Sequence, residues 1–187
     1  MTNPTIKFIN IKDIAEDFKS KAGQFLKEFK EEFGCKDKDI KFKYYSYNNL
    51  IIFEIISGEY KFKYIENYDD YISYEWYKNE EEHRENKPAC IYLDKDGSRE
   101  EVYYKEGEKH NINGQALVMY NKNDKIEYKE YCVNGVLHSL NGPALVMYND
   151  KDEIIYKEYW VNGKEIEIPE NISDEKMIKF LKIKAHV

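Results

Sequence analysis

Residues 110–122 read HNINGQALVMYNK and residues 138–150 read HSLNGPALVMYND. The two stretches begin 28 positions apart and open longer copies: laid over each other without a gap, 110–137 and 138–165 agree at 18 of 28 positions. The shared letters are His, Asn-Gly, Ala-Leu-Val-Met-Tyr-Asn, Asp, Ile, Tyr-Lys-Glu-Tyr, Val and a second Asn-Gly. A weaker copy, 83–109, is one residue shorter and keeps His83, Asn86, Pro88, Ala89, Ile91, Tyr103 and Gly107. Before it, YEWYKNEEEH (74–83) resembles the second half of a unit, EYCVNGVLH (130–138). A fixed period of this size marks units that bury their faces only against neighbours like themselves.

Each unit reads as strand, turn, strand, turn. ALVMYN is expected to be one strand and KIEYKEYCV a longer one, with KND between them. Asn134-Gly135 and Asn162-Gly163 carry the strongest short hairpin signal, because a type I′ turn needs positive φ at both central residues. VLHS is then the short return arm. Asn141-Gly142-Pro143 turns the chain again, Pro143 fixing φ and removing a donor at the sheet margin.

Outside the repeat the core vocabulary changes. Eight of the nine Phe lie between Phe8 and Phe62, the ninth being Phe180, whereas Tyr dominates from Tyr60 to Tyr159. Ile11, Ile14, Ala15, Phe18, Ala22, Phe25, Leu26, Phe29 and Phe33 follow i, i+3, i+4 spacing, which predicts one helix over 11–33 with Gly34 as its stop. Period-two alternation broken at Asn48-Asn49 and Gly58-Glu59 predicts an antiparallel meander over 40–68. Ser173, the acids after it, and Met177, Ile178, Leu181 and Ile183 predict a terminal helix, with Phe180 placed either to join the Phe-rich core or to cover the last repeat. The expected fold is α+β and mainly β. An N-terminal cap (1–68) of helix and meander precedes tandem hairpins (69–168; units 83–109, 110–137 and 138–165) and a C-terminal helix (169–187).

Composition narrows function by exclusion. With 42% apolar residues the chain of 187 has enough to build a core, and its net charge of −7 opposes non-specific attraction to nucleic acid and to anionic lipid. An acidic surface favours a basic partner, such as one with a basic groove, or none. Three cysteines without CxxC spacing argue against a disulfide framework and fit reduced thiols in the cytoplasm of a bacterial host cell. No signal-peptide pattern opens the chain, and the longest apolar run, LIIFEII, is too short to span a bilayer.

Tyr-x-x-Tyr-Trp-Val-Asn-Gly, NG-x-x-H and NGPA together resemble the variant MORN repeats of bacterial and large-DNA-virus proteins, over roughly residues 71–166. That resemblance implies a single-layered antiparallel array of stacked hairpins and a scaffold that binds other proteins, with lipid contact sometimes proposed. Some relatives resemble antitoxin or immunity proteins. It carries over no catalytic residue and no cofactor.

Three constellations have two readings each. His83, His110 and His138 recur at 27 and 28 residues: either a functional row, metal-binding in a hydrolase or nuclease or else pH-sensitive, or structural imidazoles that each hydrogen-bond the backbone of their own turn. Tyr74/Trp76, Tyr103/Tyr104, Tyr131/Cys132 and Tyr159/Trp160 form either a stripe for a partner or cross-strand packing. Glu80-Glu81-Glu82 is either an acidic bait for a basic groove or a solvated face. No nucleophile elbow and no Gly-rich phosphate loop occurs. The sequence therefore points to a non-catalytic protein-binding module that captures and neutralises a partner, either a viral counter-defence inhibitor of the anti-CRISPR type or an antitoxin or immunity protein. A self-assembling scaffold is a further reading, and the residues leave the oligomeric state open.

Overall fold

The computed structural model describes residues 7–9, 16–47 and 49–186. Strand β1 (Lys7–Ile9) precedes helix α1 (Glu16–Phe33), followed by β2 (Lys41–Tyr47), β3 (Leu50–Ser57), β4 (Tyr60–Asn67) and β5 (Tyr71–Lys78). These strands pair antiparallel in chain order, the expected meander plus an edge strand, β1, that no pattern announced. The expected helix positions Ile11, Ile14 and Ala15 lie outside the described residues. Where α1 is seen, it ends as Gly34 requires, with φ of 64° and its N–H bonded to the Lys30 carbonyl at 2.9 Å.

The cap core is built on one sheet face. Phe18, Ala22 and Phe29 of α1 bury against Ile51, Phe53, Ile55, Phe62, Tyr64 and Trp76, with Phe25 and Tyr74 packed alongside. Most rings meet at tilted or edge-on angles, as in the Phe18–Phe53 and Phe25–Phe62 pairs with centroids 5.4 and 5.0 Å apart, while Phe33 stacks on Tyr60 at 4.4 Å. Each fully buried Phe contributes roughly 1.5–3 kcal/mol, so this cluster is the main stabilising element of the N-terminal part.

The sheet does not stop at the cap. β4 and β5 pair over seven residues, and the ladder continues through β7 (Cys90–Asp94), β8 (Arg99–Val102), β11 (Leu117–Tyr120), β12 (Ile126–Glu130), β15 (Leu145–Tyr148) and β16 (Ile154–Glu158). The boundary expected near residue 68 thus falls inside one continuous sheet. Each unit supplies two of its strands, and the second pairs with the first of the next unit.

One expectation needs correcting. KIEYKEYCV is not a single long strand: it breaks at Tyr131, as its equivalent does at Tyr159. The Tyr131 N–H bonds to the Ala144 carbonyl of the large sheet at 2.8 Å, while its carbonyl accepts from His138 N–H at 2.9 Å. Beyond that handover the chain forms separate two-stranded hairpins, β9 (Tyr104–Lys105) with β10 (Glu108–Lys109), β13 (Cys132–Val133) with β14 (Val136–Leu137), and β17 (Trp160–Val161) with β18 (Lys164–Glu165). In the half unit, β5 runs on without a break and β6 (Glu81–Glu82) pairs with it.

Helix α2 (Asp174–Lys184) covers the last hairpin. Met177 and Leu181 bury against Val161, with Leu140, Tyr159 and Ile166 around them. Ser173 stands at the N-cap, where its carbonyl accepts the Met177 N–H at 2.8 Å. Phe180 therefore belongs to a helix that covers the last repeat, and Ile183 is exposed. Among the described residues no helix is long and apolar enough to cross a membrane.

Candidate functional site

The short hairpins stack, and the recurring letters are the joints. The N–H of Glu106, Asn134 and Asn162 donates to Nδ1 of His83, His110 and His138 at 3.2, 3.1 and 3.1 Å. The next amide, of Gly107, Gly135 or Gly163, donates at 3.0 Å to the carbonyl of Glu82, Lys109 or Leu137, the residue just before each histidine. The residue just after the histidine donates back, from Arg84, Asn111 and Ser139 to the carbonyls of Tyr104, Cys132 and Trp160. Each imidazole thus bonds the turn of the next short hairpin, 23 or 24 residues further along the chain and at the far end of its own unit. Among the described residues no group of three or more His, Cys, Asp or Glu is placed to hold a metal ion, so the row is periodic without converging.

Type I′ geometry recurs at every turn: φ is 52° and 75° at Glu106-Gly107, 50° and 75° at Asn134-Gly135, and 52° and 73° at Asn162-Gly163. Close approach adds a second demand for glycine, since a Cβ on Gly163 would sit 3.3 Å from that of Val136. The half unit uses Asn79-Glu80 at 52° and 66°, so Glu80 stands where the other units place glycine. Its carboxylate bonds Lys61, which holds it below its usual pKa. Glu81 and Glu82 form the arm on which the first full hairpin stacks, with Glu81 against Gly107.

The expected aromatic stripe is not one surface. Hairpin bonds put Trp76 and Tyr77 in register with Tyr103/Tyr104, Tyr131/Cys132 and Tyr159/Trp160, so Tyr74 is out of line. Trp76 is 5% exposed, packed on Phe62 and under the Arg84 guanidinium at 3.7 Å. Tyr74 stands edge-on to Phe25 in the cap core, and burial raises its pKa. Tyr159 packs with α2, Tyr131 accepts from Gln115 Nε2 at 3.1 Å, and Tyr103 and Tyr104 are half-buried. Trp160 donates to Glu158 at 2.8 Å.

The two arginines act as braces. Arg84 clamps Glu32 of α1 with two bonds of 2.7 Å, tying the helix to the first repeat; burial opposes ionisation of Glu32, but this clamp holds its pKa below the usual value. Arg99 bonds Asp124 at 2.7 Å and lies 3.8 Å over the Tyr120 ring.

A surface that the sequence reading missed lies on the sheet face opposite α1. Directly opposed residues share a face. In the cap that face carries Lys43, Glu54, Lys63 and Glu75 in one row across four strands, with ion pairs Lys43–Glu54 at 3.1 Å and Lys63–Glu75 at 3.6 Å. The same row continues through Cys90, Val102, Leu117, Glu130, Leu145 and Glu158. Beside it run Met119, Tyr128, Met147 and Tyr156, opposed in turn. Met119 and Met147 are 40% and 39% exposed, and Tyr156 is 48% exposed. Glu130 accepts from the Tyr128 hydroxyl at 2.5 Å, and Glu158 accepts from Tyr156 and Trp160, which lowers its pKa. Glu130 is also paired with Lys109 of β10, so the short hairpins reach this row, while Met119, Met147 and Tyr156 are presented outward. Strand alternation was the available signal: Val118 and Val146 are buried on the other face, so Met119 and Met147 point away from it.

Comparison with family models, with curated proteins and with solved structures finds no match for this chain.

Proposed function

We propose that the chain is a non-catalytic protein-binding module that captures and neutralises a partner protein, acting in a bacterial cytoplasm as a viral counter-defence inhibitor or as an antitoxin or immunity protein. The observation that supports it most is the change of character along one sheet face. In the cap, where α1 covers the other side, the row that runs beside the Lys and Glu ladder holds Tyr45, Ile52, Ile65 and Ser73, half-buried or buried. In the array the same row holds Met119, Tyr128, Met147 and Tyr156, and Met119, Met147 and Tyr156 are 39–48% exposed. An uncovered apolar patch on an otherwise charged chain marks an interaction surface, and Met and Tyr are enriched in the cores of such interfaces. Likeness to variant MORN repeats over roughly 71–166 supports the same scaffold role. The net charge of −7 favours a basic partner.

The test is capture from a lysate of the native host with the tagged chain and with the double variant Met119→Asp/Met147→Asp, both verified as folded by circular dichroism. The wild type is expected to retain a stoichiometric protein, to abolish that protein's activity at one-to-one ratio, and to lose it in the variant. Recovery of no stoichiometric partner, or equal recovery by both, contradicts the reading.

A further inference from the structure

The array ends on a junction that the chain makes twice and then leaves unmade. β8 pairs with β11 of the next unit, and β12 pairs with β15; β16 is the equivalent strand, and among the described residues no strand pairs with its outer edge. Residues 126–130, IEYKE, and 154–158, IIYKE, differ only at the second position. The β12 edge is filled by Leu145–Tyr148, with the Tyr131 N–H bonded to the Ala144 carbonyl. By the same alternation Ile155 and Lys157 direct their N–H and C=O outward from β16 and Tyr159 its N–H, the Tyr159 carbonyl already accepting from Ile166 at 2.7 Å.

Three features show what would complete this edge. First, at both inner junctions a cation meets an aromatic ring of the incoming strand: Arg99 lies over Tyr120 at 3.8 Å and Lys129 over Tyr148 at 4.8 Å. Lys157, the counterpart of Lys129, reaches only Tyr159 of its own segment, at 5.7 Å. Second, Ala116 and Ala144, which begin the incoming strands, are completely buried, whereas a groove of about 470 Å³ opens at the end of β16, with Tyr159, Ile166 and Met177 in its lining beside the carboxylates of Glu158, Glu165 and Glu167. Third, Ile154 and Ile155 are 52% and 63% exposed on this edge, where soluble sheets ordinarily place charge or proline. Helix α2 closes the stack of short hairpins and leaves the long ladder open.

We propose that β16 is a strand-addition site: an extended segment of the partner protein pairs antiparallel with Ile154–Glu158, a small residue entering the groove beside Tyr159 and an aromatic residue lying under Lys157. This rests on the protein-binding reading and specifies how the partner is held. A second copy of this chain is a poorer donor, because its two LVMY strands are already paired on both edges.

The probe is a synthetic peptide of residues 142–149, GPALVMYN, added to the full-length chain and followed by amide hydrogen exchange and fluorescence anisotropy. Expected are saturable binding, slowed exchange at Ile155, Lys157 and Tyr159, and affinity at least about tenfold weaker in Lys157→Pro, which removes an outward N–H. Ile155→Glu, which keeps the backbone intact, should weaken binding likewise if the proline variant misfolds. Absent binding, binding unchanged in the folded variants, or self-association of the free chain that already protects these amides overturns the proposal. Partner capture that survives Ile155→Glu would sink strand addition alone and leave the protein-binding reading standing; loss of all capture by the wild type would sink that reading instead.

Discussion

The N-terminal and C-terminal halves of this one sheet are stabilised by different means. In the cap, α1 lies on a single face and a cluster of aromatic rings supplies the apolar burial, so the fold there depends on side-chain volume. In the array the described residues place no helix over the long strands; Ala116, Ala144, Val118 and Val146 are buried within the ladder, and the hairpins are joined by three backbone-centred hydrogen bonds per junction. The first design tolerates any repertoire of large apolar residues, whereas the second demands particular residues at particular places. That difference explains why the letters repeat only in the array.

The largest effect separating the two halves should come from the cap. Phe53→Ala removes a ring with no exposed surface and is expected to cost about 3–5 kcal/mol in denaturant unfolding. A loss below about 1 kcal/mol would mean that the aromatic cluster does not hold the cap. Next comes the brace between the halves. Arg84→Met leaves the largely buried Glu32 carboxylate with Lys87, at 3.3 Å, as its remaining cation and should cost roughly 2–4 kcal/mol at neutral pH. Glu32 is held below its ordinary pKa of 4.5, so its contribution is present above that value and disappears as the pH falls through the lower folded value. The gap between wild type and Arg84→Met should therefore close in acid; a gap constant down to pH 3 would contradict the clamp.

Within the array, His83→Ala, His110→Ala and His138→Ala are each expected to cost about 1–2 kcal/mol, with His83 highest because it is buried. The smallest effect concerns Glu80. Glu80→Gly relieves a positive φ worth roughly 1 kcal/mol but gives up the surface pair with Lys61. Little change at low salt and stabilisation by about 0.5–1 kcal/mol at 1 M salt, where the pair is screened, are expected from thermal unfolding. Destabilisation at high salt would mean that Glu80 does not occupy the glycine position of a type I′ turn.

Much of this architecture was legible because it is local. The amphipathic stripe of α1, the meander turns, the Asn-Gly hairpins and the terminal helix all rest on spacing within a few residues. What escaped rests on pairing between residues seven to 24 positions apart. Tyr131 looks like any strand residue, and only the partners of its N–H and C=O, thirteen and seven residues away, show that it passes the chain from one sheet to another. The histidines were legible as structural alternatives but not their partners, since a bond to the next turn spans 24 residues. Tyr74 was placed in the aromatic row because the half unit lacks glycine to mark its turn, and the true equivalents are Trp76 and Tyr77. The exposed Met and Tyr row was hidden because apolar letters on both faces of a strand do not say which face is covered.

Amide hydrogen exchange at the joints tests the account most directly. In the wild type the amides of Asn134 and Gly135 should be protected together. His110→Ala should release Asn134 to near-unprotected exchange, while Phe53 and its neighbours in the cap keep their protection. Unchanged protection of Asn134 in a folded His110→Ala chain would contradict the claim that the repeated histidine joins one short hairpin to the next.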